Sequence, residues 1–284
     1  MGFMEKISVI IVNWNVGQAF ARCIKSVLDT KYPNLELILI DNSSKTKPMV
    51  GSDPRITFIQ NETNIGLPHA WNQGLKKATG DYILVLNPDT KLPKEYFNTE
   101  LELLKSDPKI GVVGPKFVDT DGTPQGSVFP EPSIINTILN KNKFTPESKT
   151  PIEVNSVSGA CLFFSRKTLE VVGPFTEEVF MFFEDMDFCR RLRQVGLKVV
   201  FDPRVAIVHG HGQSTKQTSP DKYRNLWEII IYPIRKLLNK PNTLPSAQRY
   251  RTEAGIWYNG WWKQLIIALI LWSSEKLKLF NKSR

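Results

Sequence analysis

A chain of 284 residues, 41% apolar and 23% charged, has the composition of an ordinary folded protein, with room for one large domain or a core domain with an appendage. Cys23, Cys161 and Cys189 are far apart and form no CxxC pair, and no signal-peptide pattern surrounds the short apolar run Ile7–Val12; this argues against a disulfide framework and for a cytoplasmic chain with reduced thiols. The net charge of +9 is uneven: residues 1–215 carry 24 basic and 24 acidic side chains and residues 216–284 carry 13 and 4, so the whole excess lies in the tail.

Short apolar runs alternate with helical patterns through the first half. Ile7–Val12 reads as a buried strand, and Phe20, Cys23, Ile24, Val27 and Leu28 recur at helical spacing. Leu35–Ile40 predicts a second strand and Ile56–Ile59 a third, and Ala70, Gly74, Leu75 and Ala78 mark the next helix. Tyr82–Leu86 is a fourth strand ending at Asn87-Pro88-Asp89; Phe97, Leu101 and Leu104 then repeat helically before a fifth strand at Ile110–Val113. This alternation implies right-handed crossovers and a largely parallel sheet, with ligands at the carboxyl ends of its strands.

The pattern then changes. Lys141–Pro151 is polar and expected to be a mobile loop; Val157–Phe164 reads as one strand and Arg166–Val172 as a helix. Val199–Phe201 and Val205–Val208 suggest two short strands. Gly210–Pro220 is a polar loop of a composition suited to closing over a ligand, and two helices, Tyr223–Leu238 and Gly255–Leu279, complete the chain. The tail holds Trp227, Trp257, Trp261, Trp262 and Trp272, five of the seven tryptophans. Basic residues interleaved with Trp and Leu suit a helix lying at a membrane surface. Nucleic acid competes for the same charges, and an amphipathic helix packed on the core is the plainer alternative. A membrane span is not expected, because Asn259, Lys263 and Gln264 interrupt the run and Leu265–Trp272 is far short of the roughly 20 residues required.

Chemistry concentrates in three places. In the run Phe182-Phe183-Glu184-Asp185-Met186-Asp187-Phe188, three acids stand among apolar residues, preceded by Phe180 and Met181. Acids are seldom buried unless paired or working, and a carboxylate among apolar side chains accepts a proton more readily than one in water. The alternative is a helix start, with Asp187 paired to Arg190 or Arg191. Asp41 ends the second predicted strand, where it can bind a ribose or a base imide or form an Asx-turn; Asp89 follows the fourth, where it can hold a divalent cation or form a turn. His209 and His211 open the late polar loop, placed to complete a metal site. A Walker loop, GxGxxG, HExxH and GxSxG are all absent.

Seven blocks in register resemble family 2 glycosyltransferases, in the rhamnosyltransferase-like branch that builds bacterial surface polysaccharides. They are Ser8-Val9-Ile10-Ile11-Val12-Asn13-Trp14-Asn15, Ile40-Asp41-Asn42-Ser43-Ser44, the run from Asn64-Ile65-Gly66 through Asn72-Gln73-Gly74, Leu86-Asn87-Pro88-Asp89-Thr90, Ser158-Gly159-Ala160-Cys161-Leu162, Phe183-Glu184-Asp185-Met186-Asp187, and His209 with Gly212 and Ser214. The match covers about residues 5–225. It implies an α/β GT-A fold, a Rossmann-like mixed sheet flanked by helices. A glycosyltransferase domain would span 1–220, with a nucleotide-binding half to about 115 and an acceptor-binding half beyond, followed by a basic helical extension over 221–284.

The resemblance further implies inverting transfer of one sugar, rhamnose in that branch, from a dTDP- or UDP-sugar to a hydroxyl of a glycan or polyprenyl-linked glycan. Asn13, Asp41, Asn64, Gly66, Asn72, Asn87 and Asp89 would line the donor site, and Asp89 and His209 would hold Mg²⁺ or Mn²⁺. Asp185 would be the general base, with Glu184 and Asp187 positioning the acceptor or the base. Asn87 departs from the family's Asp-x-Asp by replacing its first acid, which puts strict metal dependence in question, and His211 has no counterpart. The enzyme would work on the inner face of the cell membrane, docked by its tail, with no nucleic-acid partner. A sugar nucleotidyltransferase is the rival enzyme, disfavoured by the lack of a Gly-rich phosphate loop near the first strand. A basic membrane- or nucleic-acid-binding adaptor is the rival outside enzymes, and it leaves the clustered acids without a purpose.

Overall fold

Unbroken apolar runs become the central strands. The computed structural model describes residues 4–130, 144–177, 181 and 184–210. In it Ile7–Asn13 forms β1, Leu35–Asp41 β2, Ile56–Gln60 β3 and Tyr82–Leu86 β4, all parallel in the order β3-β2-β1-β4. Helices Gln18–Asp29 (α1), Leu67–Lys77 (α2) and Tyr96–Ser106 (α3) cover both faces, so β1 has no solvent side. Val9 and Ile11 pack in one core with Phe20, Cys23 and Phe97, while Ile10 and Val12 pack in a second with Ala70, Trp71 and Leu75. A strand buried on both sides loses alternation and reads as a continuous apolar run. Gly74 sits in the middle of α2 despite its poor helix propensity because a Cβ there would come within 2.5 Å of Ile10 Cγ2.

The second half keeps the sheet but changes its direction. Its strands are Thr90–Lys91 (β5), Ile110–Val118 (β6), Pro124–Gln125 (β7), Val128–Phe129 (β8), Ile152–Glu153 (β9), Ser156–Val157 (β10), Cys161–Ser165 (β11) and Lys198–His209 (β12). The order continues β4-β11-β6-β12-β5, with β11 antiparallel to both its neighbours and β12 parallel to β6. The sheet is therefore mixed, as the GT-A resemblance implies, and less parallel than the alternation of elements suggested. Among the described residues the short strands β7 to β10 lie between β6 and β11, and β11 enters the sheet from the other end. The expected division near residue 115 falls inside β6, so one sheet spans both halves.

Two strand expectations need correction. Val157–Phe164 is two strands: β10 pairs with β8 in a small separate sheet, and Ser158–Ala160 turns the chain into β11. Conversely, Val199–Phe201 and Val205–Val208 belong to the single strand β12, whose register against β6 slips between Asp202 and Ala206. Pro203 brings no N–H to the ladder there, and Arg204 pairs with the fully buried Asp202 across the irregularity. Helices Arg166–Val172 (α4) and Glu184–Gln194 (α5) complete the described fold. Phe180, Phe182, Phe183, residues 141–143 of the polar loop, His211 with the rest of the loop to Pro220, and the tail with its two expected helices lie outside the described residues. Among the described residues no helix is long and apolar enough to cross a membrane.

Candidate active site

The carboxyl ends of β1 and β2 present Asn13 and Asp41, paired in register across the sheet. Asp41 is fully buried and its carboxylate is saturated. Oδ1 accepts from Asn13 Nδ2 at 2.6 Å and the Ser44 hydroxyl at 2.6 Å; Oδ2 accepts from the Ser44 amide at 3.0 Å and Gln60 Nε2 at 2.7 Å. A side-chain-closed turn is thus realised, but Asp41 accepts the amide three residues on, at Ser44, rather than the amide two residues on of the expected Asx-turn, with Ser43 at a φ of 66°. Asn13 Oδ1, by contrast, is a buried acceptor with no hydrogen-bond partner among the described residues. Next to Asp41, Asn42 donates to Asn64 Oδ1 at 2.8 Å, which also accepts the Gly66 amide at 3.0 Å. Gly66 caps α2 at a φ of 89°, a conformation that favours glycine. Asn64 and Gly66 therefore fix how α2 begins, beside the turn that holds Asp41.

The turn after β4 meets the end of β12. Asp89 Oδ1 lies 3.5 Å from His209 Nε2, both side chains being buried, and Asn87 Nδ2 lies 3.5 Å from the same nitrogen. The Asp89 carbonyl accepts the Gly210 amide, the His209 carbonyl accepts from Gln125 Nε2, and the His209 ring packs 5.4 Å from that of Phe117. Residues 120 positions apart are thus brought together as the sequence reading required. Among the described residues no third His, Cys, Asp or Glu joins them to make a protein-only metal cluster. A carboxylate oxygen and an imidazole nitrogen at this spacing still suit a divalent cation that takes its other ligands from phosphate and water.

The acid run begins α5, where Glu184, Asp185 and Asp187 are all buried. Asp185 is held by two backbone amides, Gly159 N–H to Oδ2 at 2.7 Å and Met186 N–H to Oδ1 at 2.8 Å. Gly159 permits this contact, since a Cβ there would stand 3.1 Å from Asp185 Cβ, Asp185 Oδ2 and Trp71 Cη2. Asp187 takes the local pair that the sequence left open: Oδ2 accepts from Arg191 Nε at 2.9 Å and from the Thr176 hydroxyl at 2.5 Å. Asn72 does not join the β1–β2 turn; its buried amide binds the backbone of Phe175 and the side chain of Glu177.

One loop touches two of these groups. The Gly159 amide holds Asp185 and the Ala160 carbonyl accepts the Asn87 amide at 2.9 Å, so the acid run and the Asp89 turn flank Ser158–Ala160. Gly159 stood in a quoted sequence block, yet only the fold shows what it contacts. Gln60 and Gln125, which steady Asp41 and His209, carry no sequence signal at all.

A mixed Rossmann-like sheet with acids and an imidazole at its strand ends is the GT-A glycosyltransferase architecture. The sequence profile of Glycosyl transferase family 2 matches residues 8–173, and the chain belongs to that family and is a glycosyltransferase. The low-salt glycan biosynthesis hexosyltransferase Agl10 of Haloferax volcanii is 24% identical over 91% of this chain and 83% of its own length. The N-acetylglucosaminyl-diphospho-decaprenol L-rhamnosyltransferase of Mycobacterium tuberculosis is 27% identical over 74% of this chain and 78% of its own. The crystal structure of GalNAc-T7 with UDP, GalNAc and Mn²⁺ aligns with a TM-score of 0.59 at 18% identity, covering 72% of this chain and 43% of that one, which supports the fold alone.

Proposed function

We propose that the chain transfers one sugar, with inversion at the anomeric carbon, from a nucleotide-sugar donor to a hydroxyl of a glycan or polyprenyl-linked glycan. The observation that carries this reading is the Ser158–Ala160 loop, which binds Asp185 on one side and the turn bearing Asn87 and Asp89 on the other. In this reading the nucleoside lies at the ends of β1 and β2. There Asn13 Oδ1 offers a buried acceptor, Asp41 and Asn64 order the turn, and Gly66 fixes the start of α2. Asp89 and His209 would hold Mg²⁺ or Mn²⁺ with Asn87 beside them, and a cation bound there would supply charge to neutralise the departing diphosphate.

Asp185 accepts the proton of the acceptor hydroxyl. That oxygen forms its bond to the anomeric carbon while the bond to the diphosphate oxygen breaks, and the electron pair leaves with the nucleoside diphosphate. Glu184 and Asp187, buried in the same turn, position the acceptor and the base. The relative from Mycobacterium tuberculosis, named for rhamnosyl transfer to a decaprenol-linked sugar, makes dTDP-rhamnose the first donor to try and UDP-sugars the second. The basic, Trp-rich residues 216–284 would keep the enzyme on the inner face of the membrane, where polyprenyl-linked acceptors for surface polysaccharide are built.

Product analysis tests the reading. Incubation with dTDP-rhamnose or UDP-sugars, Mn²⁺ and a polyprenyl-diphospho-N-acetylglucosamine acceptor should release a nucleoside diphosphate and leave an inverted anomer. A retained anomer, or release of pyrophosphate, would overturn it.

A further inference from the structure

Residues 172–177 form a strap between the two helices that border the site. Asn72 in α2 grips it with both ends of its amide: Nδ2 donates to the Phe175 carbonyl at 2.8 Å, and the Phe175 amide donates to Oδ1 at 3.0 Å. Nδ2 also donates to Glu177 Oε1 at 2.9 Å, and His69 Nε2 lies 3.4 Å from Glu177 Oε2. On the opposite side, Arg191 of α5 donates to the carbonyls of Val172 and Pro174, and Thr176 donates to Asp187. The Phe175 ring fills the gap, 4.8 Å from Trp71 of α2 and 4.8 Å from Phe188 of α5.

This arrangement has a direction. α2 starts at Gly66, which is tied through Asn64 and Asn42 to the turn holding Asp41; α5 starts with the turn that carries Asp185. The strap is a hydrogen-bonded route from one to the other. Only a carboxamide can serve at position 72, because it must donate to one carbonyl and accept from the amide of the same residue. An aspartate would keep the acceptor, lose both donated bonds and face Glu177 with like charge.

We propose that Asn72 and Glu177, assisted by His69, form a latch that sets Asp185 against the nucleotide-binding turn, making them positioning residues for the transfer. The proposal rests on the transfer reading above, and a misplacement of about 1 Å can cost about a hundredfold in rate without loss of binding. The test compares the full chain with Asn72→Asp, Glu177→Ala and the double variant Asn72→Asp/Glu177→Gln. Three quantities are read: nucleoside diphosphate affinity in Mn²⁺, nucleoside diphosphate release from dTDP- and UDP-sugars, and hydrogen exchange at the Gly159 and Met186 amides that hold Asp185. Glu177 is half-exposed, so its truncation leaves the fold intact even where Asn72→Asp does not.

The expected result is a kcat lowered about 10- to 100-fold with affinity kept within about twofold, faster exchange at Gly159 and Met186, and unchanged exchange in β1 and β2. Removing the like charge in the double variant should recover part of the loss. Wild-type kcat and exchange in Glu177→Ala would overturn the latch, as would a parallel loss of affinity and turnover, which would make Asn72 a direct nucleotide contact. If the unaltered chain releases no nucleoside diphosphate from any donor, the transfer reading fails, while the exchange measurement still decides the latch.

Discussion

At the ends of β1 and β2, Asp41 is encircled by donors from its own turn and the adjoining strands, Asn13, Ser44 and Gln60, and every lone-pair direction is taken. At the start of α5, Asp185 is held by Gly159, a residue from a loop 26 positions earlier whose next residue binds the Asp89 turn. Both acids are buried, yet they are bound differently. Asp41 organises a turn that the flanking strands already bring close, so its loss is felt as stability. Asp185 accepts one backbone amide on each oxygen and, in the proposed reading, takes the acceptor's proton, so its loss would be felt chiefly as chemistry. Burial alone does not separate a structural carboxylate from a working one; Asp185 differs in that the loop holding it also binds the Asp89 turn.

Substitutions can break or sharpen that contrast. The largest effect is expected for Asp185→Asn, which removes the proton acceptor of the proposed reading: turnover should fall about 10²- to 10⁴-fold, with a smaller loss of stability than Asp41→Asn because its new NH₂ faces a single backbone amide, as steady-state kinetics and calorimetry would reveal. Gly159→Ala comes next. Its Cβ would press on Asp185 and Trp71 at 3.1 Å, and a shift of a few tenths of an ångström in Asp185 should lower kcat about tenfold while nucleotide affinity holds. Asp41→Asn should do the reverse, costing about 1–3 kcal/mol in urea unfolding because the new NH₂ faces donors, with activity per folded molecule reduced less than by Asp185→Asn.

Glu100 offers the smallest effect, away from the site. It is fully buried on α3, both its oxygens lack hydrogen-bond partners among the described residues, and burial, with the nearby Asp202 charge, pushes its carboxyl well above the usual range. Below the unfolded value near 4.5 the group is neutral in both states and costs little charge. Above that value the unfolded chain ionises first, so stability falls as pH rises towards the folded-state value. Glu100→Met should therefore stabilise the protein by about 1 kcal/mol or more at pH 7.5, and by less at pH 4.5, in paired denaturation curves.

Much of this was legible in the sequence, and unevenly so. The first half follows local rules: runs such as Ile7–Val12 and Leu35–Ile40 are strands because both faces are covered, and Asp41 and Asp89 sit at strand ends because polar turns must begin where those runs stop. The encounter of Asp89 with His209 was anticipated from the ordered blocks. The second half follows contacts that no spacing encodes. Val157–Phe164 reads as one strand because its apolar character runs through Ala160, and only the approach of Asp185 explains the break at Gly159. Asn72 reads as a site residue because it stands in a nucleotide-side block, but its partners, Phe175 and Glu177, lie more than a hundred positions away. Strand β12 reads as two pieces because Asp202-Pro203-Arg204 looks like a turn; the buried Asp202–Arg204 pair carries the chain through it.

The division of labour between the Asp89–His209 pair and Asp185 is tested most directly by one thermal-shift series. It would set dTDP and UDP, with and without Mn²⁺, against the unaltered chain, Asp89→Ala and Asp185→Asn. A rise in midpoint that depends on both nucleotide and metal is expected for the unaltered chain and for Asp185→Asn, and should vanish in Asp89→Ala. A full rise in Asp89→Ala, or its loss in Asp185→Asn, would contradict the account.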